Sequence, residues 1–131
     1  MTPEQASETI LLVNDDVIVR MALADYLRGC GYRVVEAANA DEALTVLNEP
    51  TVHVDLVFSD LRMPGSLDGF GLSRWVRTHR PDIDVVLAAT EERAADAAGD
   101  ICADGLLPKP YEPRALLNRI KRLRAASQRR R

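Results

Sequence analysis

Four short stretches of the sequence carry residues whose types and order point to one chemistry. Asn14-Asp15-Asp16 follows the apolar run Ile10–Val13, and Asp60 sits in FSDLRMPG. Ala89 and Thr90 close the run that begins at Ile83, and Lys109 lies in LPKPY. Carboxylates brought together from the first and third of the chain's apolar runs would repel one another. A bound cation offsets that repulsion. Mg²⁺ suits such a site, because it takes one or two protein carboxylates and keeps waters or phosphate oxygens for the rest. Lys109 could pair with Asp60 or with a phosphate carried by it. A metal and a lysine around one carboxylate meet the needs of phosphoryl transfer to that carboxylate, where positioning and charge neutralisation do most of the work.

These residues need a scaffold that brings them to one place, and the pattern of the chain supplies one. Short runs rich in β-branched residues recur at 10–13, 32–35, 54–58, 83–88 and 105–107. Segments with helical spacing alternate with them at 17–28, 41–47, 70–77, 91–98 and 113–123. In the first, Val17, Met21, Ala24 and Leu27 fall on one face; in the last, Leu116, Leu117, Ile120 and Leu123 do so after a first-turn Pro113. Gly29 and Gly31 bracket the end of the first helix. Asp15 or Asp16, Asn39 or Asp41, and Asp68 are expected to cap helix starts. The apolar runs are nearly continuous, as in parallel strands covered on both faces. Five such strands alternating with five helices predict a doubly wound α/β domain with right-handed crossovers. Ligands of such sheets bind beyond the carboxyl ends of the strands, where all four stretches fall.

Composition excludes several classes. The chain has 131 residues, 47% hydrophobic and 28% charged, which suits one folded domain rather than a disordered segment. No apolar run reaches the length of a membrane span, and MTPEQASE lacks the order of a signal peptide, so a cytoplasmic protein without membrane insertion is expected. Cys30 and Cys102 form no CxxC and read as reduced thiols. His53 and His79 lack metal-ligand spacing. A flavodoxin-like nucleotide site needs a phosphate-cradling loop after the first strand; VNDDVIVR is acidic and has no glycine. All 20 acidic residues precede Pro113 and eight of the 17 basic residues follow it, giving −11 over the first 113 residues and +8 over the last 18. The basic end has no aromatic stacker or helix pair for nucleic acid, so nucleic acid is not an expected partner. The expected division is a flexible stretch 1–8, a domain 9–124 and a basic tail 125–131 that frays.

Over residues 9–123 the chain resembles the receiver domains of two-component response regulators. The marks are ILLVNDD, DLVFSDLRMPG and LPKPY, in that order. The resemblance implies a (βα)5 flavodoxin-like three-layer sandwich with a five-stranded parallel sheet in the order 2-1-3-4-5. It implies Asp60 as the phosphoacceptor and Lys109 as the residue that contacts the phosphoryl group. Asp15, Asp60 and the backbone carbonyl of Arg62 would hold Mg²⁺, and Lys109–Pro110 would be a cis bond. It further implies a histidine kinase or histidine phosphotransfer protein as donor. Output would pass through contacts with a downstream protein, from a chain that is a switch and not an enzyme. A monomer, or a dimer through the face of the fourth strand and fifth helix, is expected.

Three positions depart from the family. Asn14 stands where an acidic metal-site residue is usual, which predicts weaker Mg²⁺ binding. Ala89 stands where a hydroxyl contacts the phosphoryl group, and Thr90 is one step later, on the opposite side of an extended chain. Leu106 replaces the aromatic of the switch position. They leave an alternative: a receiver that binds partners without dependence on phosphate.

Overall fold

The structure is a computed structural model that describes residues 8–63, 65, 67–90 and 105–129. Five parallel strands form one sheet: β1 Thr9–Val13, β2 Arg33–Ala37, β3 Leu56–Asp60, β4 Asp84–Ala89 and β5 Leu106–Pro108. Their order is β2-β1-β3-β4-β5. Four helices are described: α1 Val17–Gly29, α2 Ala40–Leu47, α3 Gly69–His79 and α4 Pro113–Arg129. The helix expected over 91–98, with Cys102 beyond it, lies outside the described residues.

Alternate residues of the buried strands serve opposite faces. Ile10, Leu12, Leu56 and Phe58 pack with Leu23, Ala24 and Leu27 of α1 and with Leu116 and Ile120 of α4. Leu11, Val13 and Val57 pack with Ala40, Ala43 and Leu47 of α2 and with Leu72 and Val76 of α3. This two-sided burial makes the three-layer sandwich and explains why the strands read as continuous apolar runs. Strand boundaries move by one or two residues from the sequence expectation, most for β3, which runs to Asp60 instead of ending at Phe58.

The caps follow local chemistry. Asp16 Oδ1 accepts from the amides of Ile18 and Val19 at the start of α1. Asn39 accepts from Glu42 N, and Asp68 from Gly71 N. After α1 the chain turns through Gly31 at a φ of 101°, a conformation that favours glycine.

Two expectations are corrected. Val17 and Met21 do not join Ala24 and Leu27 in the core: they are 51% and 52% exposed, with Ile18 at 76%. The first turns of α1 flank an open cavity at the strand ends, so its apolar residues are buried against the sheet only from Leu23 onward. The stretch expected to fray from 125 is helical through Arg129. Arg124 and Ser127 are buried there and hold the helix end to the sheet (Arg124 Nε to Glu8 Oε2 2.7 Å, Arg124 Nη1 to Asp84 Oδ2 2.9 Å, Ser127 Oγ to Asp84 Oδ2 2.7 Å). Glu8, from the stretch expected to be flexible, is thus tied to the last helix.

Candidate functional site

The carboxyl ends of β1, β3, β4 and β5 surround a cavity of about 950 Å³. Its polar wall includes Asn14, Asp15, Asp16, Asp60, Arg62, Thr90 and Lys109, and its apolar wall Ile18, Val19, Ala22 and Leu23 of α1. Six of the nine residues singled out in the sequence are polar members of this wall, and Pro110 lines it too. Ala89 and Leu106 do not.

Asp60 ends β3 and is 7% exposed. Its backbone is fixed by register with Ala88 and by the Leu61 amide, which donates to Ala88 O at 2.9 Å. Lys109 arrives from the end of β5, where its amide donates to Ala89 O at 2.8 Å. Its Nζ lies 2.9 Å from Asp60 Oδ1. The contact is a charge pair at hydrogen-bonding distance, and Lys109 is the partner that meets Oδ1 in its buried position. Burial raises the pKa of Asp60; Lys109 opposes that, and the charges of Asp15 and Asp16 add to it. The Lys109–Pro110 bond is cis, as the resemblance implied. Tyr111 then packs edge-on against Phe58, with ring centroids 5.8 Å apart. Its phenol is pushed up to about 12, by burial first and by the Asp60 charge second.

The acidic loop has a division of labour that the sequence leaves open. Asn14 is 3% exposed, and its Oδ1 accepts from the Asp16 amide at 2.8 Å. Asp16 is engaged as the cap of α1. Asp15 is exposed and lines the cavity. A divalent ion here would therefore draw on Asp15, Asp60 and a main-chain oxygen such as that of Arg62, with Asn14 already committed to the loop. Among the described residues no three His, Cys, Asp or Glu side chains cluster closely enough to hold a metal by themselves. Mg²⁺ does not need that many, and the two carboxylates of Asp15 and Asp60 on one cavity wall are a donor set that fits such an ion.

At the end of β4 the two neighbours face different ways. Ala89 is buried with Leu61 and Leu87, and Phe70 and Leu106 pack against that cluster. Thr90 is exposed on the cavity wall. Gly69 is a site residue that sequence reasoning passed over. A Cβ there would lie 2.0 Å from the Asp60 carbonyl oxygen, so only glycine lets α3 start against the Asp60 backbone. Its signal was its place in a helix first turn, where glycine weakens the helix unless another backbone comes close.

The fold and the site together define a doubly wound α/β domain with an acidic site at its strand ends. The model of the response regulator receiver domain matches residues 10–121, and the chain belongs to that family, the receivers of two-component systems. The sensor kinase CckA of Brucella abortus (strain 2308) is 39% identical over 126 residues, covering 93% of this chain. The chain spans only 13% of that kinase's length. A CheY-like receiver domain protein from Methanospirillum hungatei JF-1 superposes with a TM-score of 0.82 at 26% identity, covering 95% of this chain and 98% of that one. The response regulator TrrA of Thermotoga maritima, crystallised in complex with Mg²⁺-BeF, superposes with a TM-score of 0.77 at 27% identity, covering 88% and 98%. Among the described residues no helix is long and apolar enough to cross a membrane.

Proposed function

We propose that the chain accepts a phosphoryl group on Asp60 from a phosphohistidine of a histidine kinase or phosphotransfer protein, and passes the signal on through protein contacts. One observation carries this reading: a buried carboxylate ion-paired to Lys109 on the wall of an open acidic cavity. A carboxylate oxygen of Asp60 attacks phosphorus, the P–N bond to the imidazole breaks with its electron pair staying on that nitrogen, and the ring, already protonated on its other nitrogen, leaves as neutral imidazole. Lys109 neutralises charge on the transferring group. Thr90 offers a hydroxyl from the cavity wall. Mg²⁺, held by Asp15, Asp60 and the Arg62 carbonyl, would supply neutralisation of phosphoryl oxygens. Asn14 is expected to weaken its binding, since one negative charge fewer faces the ion.

The exposed apolar residues Val17, Ile18, Val19 and Met21 stand beside the cavity. A patch of this kind marks a protein contact, and its place suits the donor, which must bring its phosphohistidine to Asp60. Intact-mass measurement after incubation with Mg²⁺ and a small acyl phosphate tests the proposal. One phosphoryl mass is expected on the wild type and none on Asp60→Asn. An equal gain on Asp60→Asn overturns it.

A second reading, a module that binds partners without phosphate, draws on Ala89 and Leu106, which make an apolar contact cluster in place of a hydroxyl and an aromatic. It predicts that Asp60→Ala leaves affinity for the output partner unchanged.

A further inference from the structure

Arg20 lies in the second turn of α1 and reaches back to the acidic loop. Its Nη1 donates to the Asn14 carbonyl at 2.7 Å, while its Nε pairs with Glu36 Oε1 of β2 at 3.2 Å. The Arg20 side chain is 14% exposed and that of Glu36 27%. Arg28 holds the other oxygen of Glu36 at 3.5 Å. Asn14 is therefore gripped at three points: its amide donates to Ala37 O at 3.1 Å, its carbonyl accepts from Arg20, and its Oδ1 accepts from the Asp16 amide. Asp16 is gripped as well, since its carbonyl accepts from the Arg20 amide at 2.9 Å. Asp15 stands between these two clamped residues, and among the described residues nothing bonds to its carboxylate. Its placement is set by the backbone on either side of it.

We propose that Arg20, braced by Glu36, is a positioning residue that fixes the Asn14–Asp16 backbone so that the Asp15 carboxylate is presented to a divalent cation beside Asp60. The inference rests on the phosphoacceptor reading and deepens it. It also gives Asn14 a role: a neutral strut of the loop in place of a second acidic ligand. A guanidinium is needed because two partners in different directions are met at once, by Nε and by Nη1; an ammonium on a flexible stem is a single point of charge. Groups that orient a ligand from behind change metal affinity by about 10–100-fold when removed.

Charge alone gives the opposite sign. Deleting a cation near the site would strengthen Mg²⁺ binding. The test is calorimetric titration of the wild type, Arg20→Met and Arg20→Lys with Mg²⁺, together with hydrogen exchange at the Asp16 amide and a melting curve for each variant. Both variants are expected to bind Mg²⁺ about 10–100-fold more weakly while still folded at the titration temperature, and the Asp16 amide is expected to exchange faster. Arg20→Lys retains the charge and stem, so it separates geometry from electrostatics and guards against a variant that does not fold. Affinity within about twofold of the wild type, or tighter, in either folded variant overturns the inference alone. Absence of Mg²⁺ binding by the wild type overturns it together with the metal-assisted reading of Asp60.

Discussion

Asp60 is held between opposing influences. Burial and the acidic loop favour its protonated form, and Lys109 favours the charged one, with a net upward shift. In the proposed transfer the attacking species is the carboxylate. Without Mg²⁺ the Asp60 carboxyl is expected to titrate, in the NMR shift of its carboxyl carbon, with a midpoint above the ordinary Asp range. Lys109→Met, which deletes the opposing cation, moves that midpoint higher still; a midpoint unmoved in that variant would count against the pairing of Lys109 with Asp60. The same shift bears on stability. A carboxyl whose folded pKa is raised binds its proton more tightly when folded, so that contribution is present at low pH and lost as pH rises through the folded pKa. At neutral pH without Mg²⁺, Asp60→Asn is thus expected to melt above the wild type. The gap closes as pH falls from the raised folded pKa towards the unfolded value. A melting temperature equal to or below wild type at pH 7 would contradict it.

Helix α4 is fastened at both ends by different means. Near its start Leu116 and Ile120 are fully buried against the sheet. Near its end Arg124, 4% exposed, meets Glu8, Asp84 and Asp55 at 2.7, 2.9 and 3.6 Å. Burial alone would lower the pKa of Arg124, but the bonds to Glu8 and Asp84 raise it overall, so its guanidinium stays charged. Removing one partner of a buried ion cluster leaves the others uncompensated, at a cost of about 3–5 kcal/mol. Arg124→Ala is expected to lose that much in urea unfolding; a loss below about 1 kcal/mol would mean that the cluster is held as loosely as a surface pair. Helix α3 has a corresponding point of no tolerance at Gly69. Gly69→Ala forces its methyl onto the Asp60 carbonyl and is expected to cost about 1–3 kcal/mol. Because the displaced backbone is that of Asp60, the proposed acceptor, phosphoryl acceptance should fall in the same variant. A variant with wild-type stability and phosphorylation would refute the close approach.

At the scale of the molecule, the sheet gathers acidic residues from separate parts of the chain to one rim, while the first 113 residues carry −11 overall. Such an arrangement is strained by self-repulsion and relieved by a cation that binds only the folded form. Mg²⁺ at a hundredfold excess over its dissociation constant is expected to add about 2.7 kcal/mol to the unfolding free energy. Thermal melts with and without Mg²⁺ check this, and the increment should shrink in Asp60→Asn, which lacks one of the two carboxylates. An increment of equal size in that variant would place the ion elsewhere.

Much of this protein is legible in its sequence alone. The runs Ile10–Val13 and Val54–Phe58 read as doubly covered strands because burial on both faces needs apolar residues at every position. Asp16, Asn39 and Asp68 read as caps because a cap bonds amides two or three residues away. Asp60 and Lys109 can be picked out because strand-end positions of a parallel sheet follow from where each apolar run stops. Other features are decided only by contacts between distant segments. Val17 and Met21 share a helical face with Ala24 and Leu27, yet the sheet ends before it reaches them. Arg124 looks like one cation of a basic tail; what buries it are carboxylates from residues as far away as Glu8, 116 positions earlier. The spacing of charges along a helix cannot tell which of them will meet such partners. Asn14 looks like a weakened metal ligand, and only the positions of Arg20, Ala37 and Asp16 around it show a strut. Periodicity and local hydrogen bonding act within a few residues and are written in the sequence; the desolvation and pairing of a particular side chain depend on what the whole fold brings against it.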